Sequence, residues 1–349
     1  MTGELEARYL ELAARERLLP VKITPFYRTQ LNEEIKAIGI GGPLYRTVLP
    51  TEERLSLHVD GETADYINEV SHAPPAAPYI IRKYPDRVAF IITERCFAHC
   101  QYCFRAYKLS DEKKSTPLEE KLAALTSFLS LHNEIEEVVI TGGDPLILSD
   151  ENLETTFKSL VRWKLRLHTR APVYHPERIT PALSALLNQH HVKLVLHINH
   201  PYELCEPVCN ALSLLHNQGV LLFAQYPLLR GINDQFAVQK ELLEQLTELH
   251  IRPLSIFIVE PNKYSASFRL CMRRIEEIID MLQWQTPSWI NSVRFVLDTE
   301  IGKVRRENIV MRTNREIVFR REGKETRYLD FPAELDIPGK LPVLLWKTP

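Results

Sequence analysis

The chain contains 349 residues, 45% of them hydrophobic and 25% charged, and carries a formal net charge of -2. This length and composition suit a globular protein with one large α/β domain and extensions, or with two domains. The small net charge gives no basic field that would recruit nucleic acid, and no apolar run is long enough to cross a membrane. Because residues 1–15 are charged and helical in character, unlike a signal peptide, we expect a cytoplasmic protein.

The first 80 residues predict a mainly helical segment. Apolar residues recur there at helical spacing, and prolines and glycines divide the region into short pieces. The proline-rich stretch His72–Pro78 is typical of a stiff connector. We therefore expect an N-terminal helical segment over residues 1–80, a core domain over residues 81–300, and a C-terminal β-hairpin extension and tail over residues 301–349.

Short apolar runs alternate with helical patterns through the core domain, which argues for parallel βα units. Six strands that precede helices are predicted at Val88–Ile92, Glu137–Ile140, Leu165–His168, Lys193–His197, Val220–Gln225 and Pro253–Val259. Another strand is predicted at Val293–Leu297, and residues 307–329 alternate like a β-hairpin around Gly323. The predicted fold class is α/β, a partial TIM-like (βα)6 barrel, and catalytic groups are expected at the C-terminal ends of its strands.

Three cysteines follow the first predicted strand. Cys96, Cys100 and Cys103 have the spacing C-x3-C-x2-C, and such closely spaced thiolates suit a soft metal or an iron–sulfur cluster. Three protein ligands to a four-iron cluster would leave one iron open to an outside ligand. The alternatives are a zinc knuckle with His99 as a candidate fourth ligand, a disulfide framework, or three unrelated thiols.

Glycines and polar residues fall at the ends of other predicted strands. Gly142 and Gly143 let the backbone approach a ligand closely. Asp144 either belongs to that ligand site or caps the next helix. The remaining residues at strand ends are His197, Gln225 and Glu260. Their shared position at one rim of the barrel predicts an active site there.

The cysteine spacing and the Gly-Gly-Asp sequence together resemble the signature of the radical S-adenosylmethionine (SAM) enzymes. Further motifs between residues 84 and 329 resemble the lysine 2,3-aminomutase family: Tyr84-Pro-Asp-Arg-Val88, Thr141-Gly-Gly-Asp144, Arg178-Ile-Thr180, His197-Ile-Asn-His-Pro201 and Leu228-Leu-Arg-Gly-Ile-Asn-Asp234. The resemblance implies a radical SAM barrel with a [4Fe-4S] cluster on the three cysteines and SAM on the open iron. The residues it places near SAM are Gly142, Gly143, Asp144, His197 and Gln225.

The same resemblance implies pyridoxal phosphate (PLP) and the migration of an amino group between carbons 2 and 3 of an amino acid. Arg105 takes the position that binds the substrate carboxylate, and Arg87 the position of an arginine that contacts PLP. Lys83 takes the position of an arginine that neighbours the PLP phosphate. Glu260 and Asp298 take the positions that hold the distal ammonium group of lysine, so we expect a basic substrate. Without the resemblance, both acidic residues would be interpreted as helix or turn caps.

Lys303 follows Asp298 and Gly302 in the order of the family's PLP-anchoring lysine, so the resemblance makes it the candidate for covalent PLP binding. The alternatives are a solvated Lys303 and an anchor at Lys340. The implied partners are a small amino acid and an electron donor such as flavodoxin or ferredoxin, with a homo-oligomer as a further option. Two other functions stay open: a radical SAM enzyme of this fold with altered or absent PLP use, and a non-catalytic iron–sulfur protein for binding or electron transfer.

Overall fold

The computed structural model describes residues 2–110 and 116–338. An eight-stranded sheet forms its centre, with the strands in sequence order. Strand β1 is antiparallel to β2, and every pair from β2 to β8 is parallel. The strands are β1 (Ile80–Tyr84), β2 (Arg87–Thr93), β3 (Glu137–Gly142), β4 (Lys164–Thr169), β5 (Lys193–Leu196), β6 (Leu222–Leu228), β7 (Arg252–Ile258) and β8 (Arg294–Leu297).

Helices surround the sheet, and at least one helix follows each strand from β2 to β7. Four precede the sheet: α1 (Thr2–Glu16), α2 (Pro25–Ile38), α3 (Pro43–Val48) and α4 (Glu52–Ser56). The others are α5 (Ala106–Leu109), α6 (Leu118–Ser130), α7 (Asp150–Ser159), α8 (Ala171–Tyr174), α9 (Pro181–Gln189), α10 (Glu206–Asn217), α11 (Phe236–Glu248), α12 (Met272–Gln285) and α13 (Ser288–Asn291). The predicted α/β fold with six βα units is thus confirmed. None of these helices is long and apolar enough to cross a membrane within residues 2–110 and 116–338.

Local sequence explains where several helices begin. Thr24, Ser149 and Thr180 each accept a hydrogen bond from a backbone N–H in the first turn of the following helix. Such caps satisfy backbone donors that have no partner within the helix. The apolar faces of the helices pack on the sheet, as buried Leu242 and Leu246 of α11 illustrate. The core therefore lies between the helices and the outer face of the curved sheet.

The two edge strands of the sheet approach each other across an open seam. The ammonium nitrogen of Lys83 on β1 lies 3.0 Å from Oδ1 of Asp298, directly after β8, and donates to the carbonyl oxygen of Thr299 at 2.8 Å. The backbone N–H of Lys303 donates to the hydroxyl of Tyr84 at 3.0 Å. Side-chain contacts, rather than a strand ladder, therefore join β1 to the segment after β8.

The N-terminal segment holds the cysteine loop in place. The backbone N–H of His99 donates to the carbonyl of Lys22 at 3.0 Å, and that of Gln101 donates to the carbonyl of Thr47 at 2.8 Å. Because the loop residues bond to the segment before the barrel, removing this segment would leave buried backbone groups of the loop unpaired. The domain boundaries at residues 80 and 300 stay predictions.

A second, antiparallel sheet follows the barrel. It contains β9 (Ile309–Arg312), β10 (Glu316–Arg321) and β11 (Lys324–Leu329), with β10 in the middle. Arg321 pairs with Lys324 across a tight turn at Gly323, where φ is 78° and glycine is therefore favoured. The predicted C-terminal β extension is confirmed, with β9 as an additional strand. Lys340 lies outside the described residues.

Candidate active site

One cavity at the C-terminal ends of the barrel strands contains every predicted site residue except Arg87. Its wall includes Cys96, Cys100, Cys103, Arg105, Gly142, Gly143, Asp144, His197, Gln225, Glu260, Asp298 and Lys303. These residues come from loops and strand ends that are far apart in sequence. Parallel strands bring their carboxyl ends to one rim, which is where active sites of such barrels form.

Arg87 is the predicted residue that the structure leaves outside this cavity wall. It begins β2, and its guanidinium lies 4.1 Å from the centre of the Tyr84 ring and donates to Asp86 Oδ2 at 3.0 Å. Ala89, two residues further along the strand, does line the cavity. Because side chains two apart share a face of a strand, Arg87 is on the cavity side but nearer the opposite end of the barrel.

The three cysteines present soft donors to the same cavity. Burial raises the pKa of the Cys96 thiol, and burial with the neighbouring Cys100 raises the pKa of Cys103 to about 12. A bare thiolate is therefore unfavourable here, and a bound cation is needed to stabilise the ionised form. This donor set fits an iron–sulfur cluster, whose iron atoms are bound by thiolates.

A mononuclear metal site fits the geometry less well. Over residues 2–110 and 116–338, no three or more His, Cys, Asp or Glu side chains are grouped closely enough to hold one metal ion. A four-iron cluster is larger than one ion, so its ligands are further apart. His99, the candidate fourth zinc ligand, is buried and has its Nδ1 2.7 Å from the carbonyl oxygen of Pro20.

The two glycines at the end of β3 are required for packing within the protein. A Cβ atom on Gly142 would lie 2.3 Å from the carbonyl oxygen of Thr93, and one on Gly143 would lie 2.1 Å from that of Arg95. The N–H groups of Gly143 and Asp144 donate to these same carbonyls, each at 2.7 Å. The glycines thus allow close packing of two backbone segments of this chain. The close approach of a ligand stays a prediction, and both glycines line the cavity.

Asp144 acts as the capping residue that the sequence offered as an alternative. Its carboxylate accepts hydrogen bonds from the backbone N–H of Leu146 at 3.1 Å, the hydroxyl of Thr169 at 2.7 Å and the backbone N–H of Arg170 at 2.9 Å. It therefore ties the end of β3 to the end of β4. Asp144 still lines the cavity, so this structural role does not exclude a contact with a ligand.

Gly143→Ala should therefore disrupt the cysteine loop. The new Cβ would have to displace the Arg95 backbone, and we expect a loss of about 1–3 kcal/mol in the free energy of unfolding, together with reduced iron binding. Gly3→Ala is the control, because nothing lies within 4 Å of a Cβ there. Chemical denaturation and iron analysis after anaerobic reconstitution measure both effects. Wild-type values of both in Gly143→Ala would contradict this packing role.

Arg105 is paired with an acidic residue that the sequence did not indicate. Its Nε and Nη2 donate to Oε1 of Glu69 at 2.9 and 2.6 Å, and its Nη1 donates to the hydroxyl of Thr141 at 3.0 Å. Glu69 belongs to the N-terminal segment and is only 2% exposed. Lys108 Nζ lies 3.7 Å from the same carboxylate. The carboxylate of Asp65 also acts on Lys108, so two anions balance the two cations. Arg105 is thereby held in a fixed orientation at the cavity wall.

The opposite wall of the cavity contains the predicted acidic pair and Lys303. Burial, with a smaller effect from Asp298, raises the pKa of Glu260 to about 8. Asp298 itself is paired with Lys83, so Lys83 is not free to hold a phosphate. Burial also lowers the pKa of Lys303, and its ammonium nitrogen is 4.9 Å from the centre of the Phe257 ring. A lysine that loses its proton more easily is a better nucleophile toward an aldehyde.

Further polar groups in the cavity were not predicted. His168 at the end of β4 contacts Gln225 and His197, the two residues expected near SAM. Arg170 is buried, donates to Glu203 at 2.6 Å and stacks on the Tyr174 ring. Both follow or end a strand, as the predicted residues do. Their position after Leu165-Arg-Leu could have identified them, because it places them at the same rim.

Comparisons with known proteins agree with this geometry. Residues 87–195 match the family model of a 4Fe-4S single cluster domain. The L-lysine 2,3-aminomutase of Methanococcus maripaludis is 32% identical over 290 residues, which are 82% of this chain and 65%, just under two thirds, of that enzyme. That of Acetoanaerobium sticklandii is 30% identical over 321 residues, 89% of this chain and 75% of the enzyme.

A third relative and one solved structure complete the comparison. The L-lysine 2,3-aminomutase of Haemophilus influenzae is 31% identical over 71% of this chain and 74% of its own length. The structure of native anSMEcpe with bound AdoMet has a TM-score of 0.45 and 15% identity, over 60% of this chain and 62% of that chain, which is too distant to bear on function. The enzymes of Acetoanaerobium sticklandii and Haemophilus influenzae are each at least 30% identical and match more than two thirds of both chains. This chain therefore belongs to the lysine 2,3-aminomutase family of radical SAM enzymes.

Proposed function

We propose that this chain moves an amino group between carbons 2 and 3 of a basic amino acid, using a [4Fe-4S] cluster, SAM and PLP. The observation that supports it is one cavity lined by three thiols, an arginine held by the buried Glu69, and a half-buried lysine with two carboxyl groups. The relatives named L-lysine 2,3-aminomutase support the choice of reaction and substrate class. An electron carrier would need no amino acid pocket, which speaks against a non-catalytic role.

Each wall of the cavity has a separate task in this proposal. The three cysteines bind the cluster, and Arg105 orients the substrate through its carboxylate. Lys303 binds PLP, while Glu260 faces the distal ammonium group of the substrate. When bound, the reduced cluster and SAM supply the radical that removes a substrate hydrogen, and PLP carries the migrating nitrogen.

Some predictions stay open in this proposal. An external electron donor such as flavodoxin or ferredoxin is required by the chemistry, and the cytoplasmic location and homo-oligomeric state remain expectations. The positions of Arg87 and Lys83, each bonded within the protein, favour a second candidate: a radical SAM enzyme of this fold with altered PLP use. Trapping PLP on Lys303 with borohydride distinguishes this candidate from the PLP-dependent aminomutase.

The substrate class can be tested by SAM cleavage. The reduced, reconstituted protein should form 5′-deoxyadenosine faster with lysine, ornithine or arginine than with glutamate, because Glu260 lines the cavity and would face the distal group of the substrate, with Asp298 close by. Ionised Glu260 favours a cation, and its pKa of about 8 means that the half-saturating lysine concentration should fall as the pH rises from about 6 to about 8.

Glu260→Gln should remove this pH dependence and weaken lysine binding by about tenfold or more, since a charge-assisted hydrogen bond is lost. Glu248→Gln is the control, because Glu248 is exposed at the end of α11. A faster reaction with glutamate than with lysine, or an unchanged preference in Glu260→Gln, would contradict the proposed substrate class.

A further inference from the structure

Tyr174 contacts one of the three cysteines, although no motif or family resemblance indicated it. It ends α8, the short helix that follows β4, and it is only 2% exposed. Its hydroxyl oxygen lies 3.0 Å from Sγ of Cys100. Both residues line the cavity. The phenol is therefore a polar group in direct contact with a proposed ligand of the cluster.

Packing fixes the position of this phenol. The Tyr27 ring of α2 meets the Tyr174 ring edge-on, with 5.0 Å between the ring centres. The guanidinium of Arg170 lies 4.7 Å from the centre of the Tyr174 ring. The backbone carbonyl of Tyr174 accepts a hydrogen bond from the hydroxyl of Thr24. Because these contacts hold both the ring and its backbone, the hydroxyl is kept against Cys100.

The chemistry of a bound cluster determines which atom of this pair donates. Between a thiol and a phenol, either group can be the donor. A cysteine that binds iron is a thiolate, which has no proton and can only accept. The phenol keeps its proton, because ionising it beside a thiolate in a buried position would place two negative charges together. The Tyr174 hydroxyl is therefore the donor whenever Cys100 binds iron.

We propose that Tyr174 is a positioning residue that donates a hydrogen bond to the iron-bound sulfur of Cys100 and raises the reduction potential of the cluster. The inference rests on the proposed function, which assigns the cluster to these cysteines. Reduction by the external donor adds one electron, and so one negative charge, to the cluster and its sulfurs. A hydrogen bond to a ligand sulfur stabilises the more negative form more strongly, which makes reduction easier.

Tyr174→Phe tests this bond, because it removes the hydroxyl and keeps the ring. Redox titration of the anaerobically reconstituted protein without SAM, followed by electron paramagnetic resonance, measures the ratio of reduced to oxidised cluster. At the wild-type midpoint we expect this ratio to fall about threefold or more. For one electron a tenfold change corresponds to about 59 mV, so the potential should become more negative by about 30 mV or more. The iron content should stay at the wild-type value, since no iron ligand is lost.

A second variant changes the strength of the donor in the opposite direction. Replacing Tyr174 by 3-fluorotyrosine keeps the hydroxyl and makes the phenol more acidic, so it donates more strongly and the ratio should rise above the wild-type value. Tyr226→Phe is the matched control. Tyr226 is also buried and lines the cavity, but its hydroxyl donates to Gln239 at 2.9 Å and not to a cysteine. Its ratio should stay within about 1.5-fold of wild type.

The outcomes separate this inference from the proposed function. A fall of less than about twofold in Tyr174→Phe, or an equal fall in Tyr226→Phe, would overturn the inference. If Tyr174→Phe binds no iron, the fluorinated variant decides, and an unchanged or lower ratio there would overturn it. A wild-type protein that binds no cluster would instead refute the proposed function, and the inference with it.

Discussion

Replacing Cys96, Cys100 and Cys103 together by alanine should reduce the bound iron from about four atoms per chain to almost none. The three thiols line one cavity, and burial raises the pKa of Cys96 and Cys103, so a bound cation would stabilise their thiolates. Thiolate ligands suit the iron of an iron–sulfur cluster. The measurement is iron analysis with the absorption spectrum after anaerobic reconstitution. The visible iron–sulfur band should disappear with the iron.

Two other cysteines provide matched controls for this experiment. Cys205 precedes α10, and Cys271 is buried at the start of α12. Neither lines the cavity, so Cys205→Ala and Cys271→Ala should keep the wild-type iron content. Full iron content in the triple variant would place the cluster elsewhere. Loss of iron in Cys205→Ala or Cys271→Ala alone would show that unfolding, and not ligand removal, explains the result.

Lys303→Ala should abolish covalent PLP binding and leave the cluster intact. Lys303 is half-buried and lines the cavity with Glu260 and Asp298, and its partial burial lowers its pKa, which favours the neutral amine that PLP requires. Borohydride reduction followed by peptide mapping should find PLP on Lys303 in the wild type. The variant should lose the PLP absorbance and keep the iron–sulfur band.

Lys158→Ala is the control for this substitution, because Lys158 is an exposed lysine on α7. A label on Lys340 would show that the anchor is in the tail, as the rival motif suggested. No label at all, in protein that still cleaves SAM, would favour the radical SAM enzyme with altered PLP use. Either result would overturn the assignment of Lys303.

The alternation of apolar runs and helical patterns was enough to predict the barrel, because each βα unit has a local period in the sequence. The exception is β1. Its sequence, Ile-Ile-Arg-Lys-Tyr, is short and contains two charged residues, and its pairing with β2 is antiparallel. Strand β6 was also predicted two residues too early: its first predicted residue, Val220, is buried but precedes the ladder with β5. Register depends on neighbouring strands, which a single sequence does not show.

The site residues at the ends of strands could be predicted from the sequence. The ion pairs between residues that are distant in sequence could not. The residues at strand ends were found because parallel strands share one rim. Glu69 was missed because its pairing with Arg105 joins residues that are 36 positions apart, in a polar stretch without a motif. The same holds for Lys83, whose bond to Asp298 spans 215 positions and joins the open edges of the barrel. Arg105 and Lys83, which the family resemblance assigns to ligands, therefore form ion pairs within the protein.

The two glycines at the end of β3 show a different limit. The sequence identified Gly142 and Gly143 as positions where a side chain cannot be tolerated, and the structure agrees. It could not reveal that the approaching group is the backbone of Thr93 and Arg95. A glycine pair in a sequence indicates close approach of something, but the partner becomes visible only with the long-range packing.

The most direct measurement of the central claim is the fate of the α-nitrogen of L-lysine. Lysine with isotopically labelled nitrogen on carbon 2 is incubated anaerobically with the reconstituted protein, SAM, PLP and a reductant, and the products are identified by NMR. The proposal predicts an isomer with the labelled nitrogen on carbon 3, formed only when SAM and reductant are both present. SAM cleavage without any such isomer, from lysine or from other basic amino acids, would contradict it.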